Sequence, residues 1–96
     1  MNRAEVLDLL VRNKPTLVAR FGVDRLALFG STARDAARAD SDIDILVSFD
    51  GPATSERYFG VQFFLEDLLG LPIDLVTDKA LRPELRPFIE REAVHV

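Results

Sequence analysis

The chain has 96 residues, of which 48% are hydrophobic and 29% are charged. This size and balance predict one compact domain and exclude a two-domain enzyme with its own substrate-binding lobe. The sequence contains no cysteine and a single histidine, which excludes a disulfide framework and a cysteine-based zinc site. Any bound metal would therefore be held by oxygen ligands.

The charge and the apolar pattern also restrict the cellular setting. A formal net charge of −4 argues against broad electrostatic binding to nucleic acid or to anionic lipid. The apolar runs are far shorter than a membrane-spanning helix, and the N-terminus lacks the apolar centre of a secretory signal. We therefore expect a cytoplasmic protein that contacts neither membrane nor nucleic acid directly.

Helical and strand patterns alternate along the first half of the chain. Residues 3–12 carry apolar side chains at helical spacing, and Pro15 interrupts this pattern. We expect two short helices or one kinked helix ending before Gly22, because glycine suits the left-handed backbone at a helix C-terminus. Three further elements are predicted: a strand at 25–29, a short helix or helical turn at 31–39, and a strand at 43–49.

The second half continues the alternation. The longest predicted helix covers 54–69, with Thr54 or Ser55 as its N-cap and Gly70 as its terminator. Three elements follow: a strand at 72–77, a helical stretch at 79–91 interrupted by two prolines, and a short strand at 93–96. This order predicts the α/β (α+β) class, with helices packed on a small mixed β-sheet.

Three aspartates stand out on the predicted strands. Asp42 and Asp44 are two residues apart, so their carboxylates share one face while the neighbouring isoleucines point into the core. Such a pair is unfavourable unless it faces water or a cation, and carboxylates without histidine or cysteine suit a hard ion such as Mg²⁺. Asp74 lies within an otherwise apolar strand, where burial without a partner would be costly. If the two strands are neighbours, all three acids converge.

A Gly30-Ser31 pair follows the first predicted strand, at a place where backbone N–H groups can bind a phosphate chain. Arg34, one turn later, could reach the same anion. Each feature alone has an ordinary explanation: a Gly-Ser pair is usually a turn, and an Asp-x-Asp pair is more often a solvated strand end. Ser41 is either a hydrogen-bonding residue near the metal site or a simple turn hydroxyl. Together, the turn and the acids are the parts needed for metal-assisted nucleotidyl transfer.

The segment Gly30-Ser31-Thr32-Ala33-Arg34, followed by Ser41-Asp42-Ile43-Asp44, resembles the signature of the minimal nucleotidyltransferase family, small relatives of DNA polymerase beta. The likeness continues through Pro72-Ile73-Asp74-Leu75-Val76 and through 82–96. It implies a nucleotidyltransferase fold, with residues 1–96 forming a single domain of that kind.

The resemblance also implies roles for individual residues. Gly30 and Ser31 would contact the nucleotide phosphates, while Asp42 and Asp44 would bind the metal ions. Asp74 would complete the metal site and position or deprotonate the acceptor. One position departs from the family, which usually has glycine after the arginine: here Asp35 either weakens nucleotide binding or points to solvent.

The function implied is that of an enzyme, a Mg²⁺-dependent nucleotidyltransferase that uses two ions and transfers AMP from ATP. The chain has no lobe to enclose a small acceptor, so we expect a hydroxyl group on another macromolecule. Minimal nucleotidyltransferases are commonly encoded with a HEPN-domain toxin, and the resemblance implies an antitoxin that adenylylates a tyrosine of that partner. Two alternatives remain open: a non-catalytic module that neutralises the same partner by occlusion, and a catalytic subunit that modifies a small molecule.

Overall fold

A computed structural model describes residues 1–38 and 41–96 of the chain. The elements of these residues are α1 (Arg3–Phe21), β1 (Val23–Phe29), α2 (Gly30–Ala33), β2 (Ile43–Phe49), α3 (Ser55–Leu69), β3 (Ile73–Thr77), a 3₁₀ turn (Asp78–Ala80), α4 (Arg86–Glu92) and β4 (Val94–His95). The predicted α/β class, with helices on a small mixed sheet, is confirmed. Among the helices of these residues, none has the length and apolar character needed to cross a membrane.

The first helix is continuous through Pro15. Asn2 and Glu5 form a reciprocal capping box at its start, and Gly22 ends it with a φ of 71°, as the sequence predicted. Pro15 cannot donate a hydrogen bond to the carbonyl of Val11 four residues earlier. Both residues are exposed, so water can replace the lost donor.

The sheet has the strand order β3-β2-β1-β4. β1 runs antiparallel to β2 and β4, whereas β2 and β3 are parallel. The register places Asp44 directly opposite Asp74 on β3 and opposite Phe29 at the end of β1. The mixed sheet therefore brings two of the three predicted acids, and the start of the Gly-Ser turn, to one place.

The two faces of the sheet are covered differently. Side chains of α1 and α3 pack on one face and form the larger core with strand residues such as Leu28, Ile45 and Leu75. A smaller cluster on the other face contains Ala27, Phe29, Leu46 and Leu81, with Ile89 of α4 packed against it. Because side chains alternate along a strand, Asp44 and Asp74 lie on the face that carries α4.

Two predicted helical segments differ from the structure. The helix expected at 31–39 is only the four residues of α2, because Asp35 adopts a φ of 58°, a left-handed conformation that ends the helix. The predicted end at Ala39, together with Asp40, lies outside the described residues. The stretch at 79–91 divides into the 3₁₀ turn and α4, with Pro87 in the first turn of α4, where a missing N–H is tolerated.

Two matched valine substitutions on α1 test the larger core. Val6 is fully buried, whereas Val11 is 57% exposed on the same helix. Val6→Ala should lower the free energy of unfolding by about 2 kcal/mol, because it removes buried methyl groups and leaves a cavity. Val11→Ala should change it by less than about 0.5 kcal/mol. Urea denaturation measures both, and equal losses would contradict the described packing of α1.

Candidate active site

Asp44 and Asp74 form the centre of the candidate site. They occupy paired positions of the parallel strands β2 and β3, and their carboxyl groups are joined by a side-chain hydrogen bond. Below about pH 6 the Asp44 carboxyl is protonated and can donate this bond to Asp74, since an ionised carboxylate is an acceptor only.

The surroundings of Asp44 disfavour its ionised form. Partial burial raises its pKa from 3.8 to about 6, and the negative charge of Asp74 and the hydrogen bond with it act in the same direction. The charges of Asp42 and Glu92 add smaller increases. The site is thus a concentration of negative charge that a cation would relieve.

Asp74 is exposed, contrary to the expectation that its mid-strand position would bury it. The reason is that β3 is the edge strand of the sheet, and its outer side has no neighbouring strand in the described sheet. The free-energy cost of burial is therefore no argument for a function of Asp74. The argument is instead its hydrogen bond to Asp44.

The third acid, Asp42, is exposed and immediately precedes β2. It is close enough for its charge to raise the pKa of Asp44. Over residues 1–38 and 41–96, no three histidine, aspartate or glutamate side chains are grouped closely enough to hold a metal ion. The donor chemistry nevertheless fits a hard divalent cation, because the paired carboxyl groups of Asp44 and Asp74 offer only oxygen ligands.

Gly30 lies directly against Asp44. Its φ is 73°, and a Cβ atom built at this position would overlap the Asp44 carboxylate oxygen Oδ2. Any other residue would therefore be strained in its backbone and would displace the acid. The Gly-Ser turn and the acid pair form one packed unit, with Ser31 half-buried in α2.

Sequence reasoning missed Glu92, the last residue of α4. The Gly30 N–H donates to Glu92 Oε1 at 3.0 Å, and Arg34 Nη1 donates to Glu92 Oε2 at 2.7 Å. The one available signal is that an acidic residue at a helix C-terminus is unfavourable and needs a compensating partner. Glu92 thus binds two groups that the sequence had assigned to nucleotide phosphate.

The remaining predicted residues lie around this centre. Ser41 Oγ accepts a hydrogen bond from the Arg38 N–H at 2.9 Å. This contact agrees with the interpretation of Ser41 as a turn hydroxyl. Asp35 is exposed, and its Oδ1 lies 3.5 Å from the backbone nitrogen of Arg3 at the start of α1. Its left-handed φ is a conformation that glycine adopts without strain.

Replacement of Asp44 by asparagine tests whether the surroundings of this residue disfavour its ionised form. Folded Asp44 keeps its proton up to about pH 6, whereas unfolded aspartate releases it near 3.8, so stability should fall as pH rises through this interval. Asp44→Asn should remove this slope and, after allowance for solvent screening, gain about 1–2 kcal/mol above pH 6. Urea denaturation over a pH series without divalent metal measures it.

Asp24→Asn is the matched control, since Asp24 is an exposed aspartate on β1. It should leave the slope unchanged. If Asp44→Asn keeps the wild-type pH dependence of stability, the folded protein does not raise the pKa of Asp44.

Comparison with known proteins supports the assignment of the Gly-Ser turn and the aspartates to a nucleotidyltransferase motif. The family description "Nucleotidyltransferase domain" matches residues 10–96, which include the Gly-Ser turn and all three acids. Protein adenylyltransferase MntA of Thermococcus cleftensis is 38% identical over 92 residues, covering 96% of this chain and 93% of the relative.

Solved structures share the fold. One, described as a minimal nucleotidyltransferase, is 38% identical with a TM-score of 0.79, covering 98% of this chain and 95% of the other. A Shewanella oneidensis complex of a tri-AMPylated HEPN toxin with an MNT antitoxin contains a chain that is 21% identical, with a TM-score of 0.59 and coverage of 98% and 67%. At that identity the likeness concerns the fold alone. The chain therefore belongs to the nucleotidyltransferase domain family, and the predicted enzyme class is confirmed.

Proposed function

We propose that this chain is a Mg²⁺-dependent, cytoplasmic protein adenylyltransferase that transfers AMP from ATP to a hydroxyl group of a HEPN-domain toxin and acts as its antitoxin. Residues 1–96 would work as one domain. The observation that carries the proposal is the Asp44–Asp74 pair held against Gly30. A carboxyl pair whose negative charges repel, held beside the Gly-Ser turn, suits chemistry in which positive charge and a triphosphate enter together.

The nucleotide phosphates would bind at the turn. Gly30 and Ser31 supply backbone N–H groups at the start of α2, and Arg34 supplies a guanidinium beside them. Ser41, whose Oγ accepts a hydrogen bond from the Arg38 N–H, would support the turn.

Asp42, Asp44 and Asp74 are the residues that would hold magnesium, as two ions. The metal would neutralise charge on the triphosphate and on the leaving pyrophosphate. A bound cation would favour the ionised form of Asp44, whose pKa is raised by burial and by the charge of Asp74.

The acceptor would enter at the open edge of the sheet. Asp74 is exposed on the edge strand β3, so a hydroxyl group carried by another protein can reach it. Asp74 would accept the proton of that hydroxyl as its oxygen attacks the α-phosphorus of ATP. The bond between the α-phosphorus and the bridging oxygen then breaks, and pyrophosphate leaves.

Two observations support a HEPN-domain partner, whereas a tyrosine acceptor follows only from the resemblance to minimal nucleotidyltransferases. The relative from Thermococcus cleftensis is named a protein adenylyltransferase, and the Shewanella oneidensis structure pairs a chain of this fold with an AMPylated HEPN toxin. The net charge of −4 also suits a basic, RNA-binding partner.

The non-catalytic alternative explains the acids less well. A module that only occludes its partner would gain stability by losing clustered negative charges, yet Asp44 is retained with its ionised form disfavoured. The small-molecule alternative needs a second chain to bring the acceptor, since the edge of β3 is open rather than enclosed.

Metal dependence of nucleotide binding is the first test. The protein should bind AMP-PNP with Mg²⁺ and lose most of that affinity after chelation, because Arg34 alone cannot neutralise a triphosphate. The double variant Asp42→Asn, Asp44→Asn should remain folded and lose the metal-dependent binding. Calorimetry measures both, with Asp24→Asn as the control that binds as wild type. Equal wild-type binding after chelation would remove the metal role of these acids.

Asp74→Asn separates an enzyme from a binder. Wild-type protein with its partner, ATP and Mg²⁺ should add about 329 Da per AMP to the partner, and Asp74→Asn should abolish the addition by leaving the hydroxyl unactivated. Intact-mass spectrometry is read beside growth rescue from the toxin. In Asp74→Asn, the mass addition and the growth rescue should both be lost. Rescue by Asp74→Asn without any mass change in either sample would favour occlusion.

A further inference from the structure

The contact between Glu92 and the phosphate-binding turn has no role in the proposed chemistry. Glu92 accepts hydrogen bonds from the Gly30 N–H and from Arg34 with its two separate carboxylate oxygens. The residues are 62 and 58 positions apart in sequence, so the folded chain brings this acid to the turn from its C-terminal end. A carboxylate held by a backbone N–H and a guanidinium is bound as a phosphate oxygen would be.

The two anions cannot use the same donor. The Gly30 N–H has one hydrogen, and Glu92 Oε1 already receives it. Arg34 has further N–H groups, but its Nη1 is committed to Glu92 at 2.7 Å. A phosphate that takes the Gly30 N–H must therefore displace the carboxylate.

We propose that Glu92 competes with the nucleotide phosphate for the Gly30 N–H and the Arg34 guanidinium, and so sets the affinity for nucleotide. This inference rests on the proposed nucleotide site. In the free protein Glu92 occupies the turn, and it leaves when nucleotide binds. The apparent dissociation constant then equals the intrinsic constant divided by the fraction of molecules in which Glu92 has left the turn.

The surroundings make this release feasible. Glu92 ends the seven-residue helix α4, which contributes no fully buried residue in the described part of the chain. The Glu92 side chain is 27% exposed, and that of Arg34 is 55% exposed. The charge of Glu92 is also close enough to Asp44 to raise the pKa of that acid. The contact is thus partly screened and partly opposed by repulsion, and can be exchanged for a phosphate.

Glu92→Gln tests the competition, with Glu90→Gln as its matched control. Glu90 lies on the same helix and pairs with Arg86 instead of the turn. Glu92→Gln should bind AMP-PNP with Mg²⁺ about tenfold more tightly than wild type, because a neutral amide competes poorly for charged donors. Glu90→Gln should bind as wild type does. Calorimetry measures all three affinities.

The outcomes separate this inference from the proposed function. Equal binding by all three proteins, or weaker binding by Glu92→Gln, overturns the competition and leaves the nucleotide site standing. Absence of binding by all three overturns both. Binding by Glu92→Gln alone supports the competition.

The wild-type protein gives a second measurement that needs no variant. The carboxyl carbon resonance of Glu92, followed by NMR, should move on saturation with AMP-PNP and Mg²⁺ toward that of Glu84, an exposed glutamate. An unmoved Glu92 resonance at saturation would show that the carboxylate stays on the turn, and would overturn the proposal.

Discussion

Repulsion between two carboxyl groups on neighbouring parallel strands is the constraint around which this site is built. The register of β2 and β3 sets Asp44 beside Asp74, and burial of Asp44 makes its ionised form still less favourable. Such a pair costs stability, and it is sustained because its strands are anchored by isoleucines and leucines in the larger core. Apolar packing on one face of the sheet thus keeps β2 and β3 paired despite the repulsion between Asp44 and Asp74 on the other face.

The positive side of the site depends on the same packing. Gly30 can approach Asp44 only because it has no side chain, and this approach places the first N–H of α2 next to the acids. Donors and acids therefore lie within one compact unit at the end of β1. The C-terminal helix then returns to that unit and satisfies the donors with Glu92. In the free protein, Glu92 is attracted to the Gly30 N–H and to Arg34, while Asp44 and Asp74 repel each other in the same compact unit.

The sequence predicted what depends on local pattern. Gly22 and Gly70 end their helices with φ values of 71° and 68°, and β2 has the predicted bounds. Alternation along β2 also placed Asp44 correctly on the face opposite the core isoleucines. These features follow from neighbours within a few residues, so a linear pattern contains them.

Features that depend on strand order, on contacts between distant residues or on an unusual backbone conformation could not be predicted. Asp74 appears buried from its apolar neighbours, but β3 is an edge strand and leaves it exposed. The contact of Glu92 with Gly30 joins residues 62 positions apart, and no local spacing indicates it. Asp35 ends α2 through a left-handed backbone that a non-glycine residue rarely adopts, so the helix appeared longer in the sequence.

The identity of the transferred group tests the central claim most directly. The protein, the proposed HEPN-domain partner and Mg²⁺ are incubated with ATP labelled at the α-phosphate or, separately, at the γ-phosphate. Nucleotidyl transfer breaks the bond beyond the α-phosphorus, so we expect the α-label on the partner and the γ-label in released pyrophosphate. Transfer of the γ-label to the partner, with ADP as the product, would contradict the account.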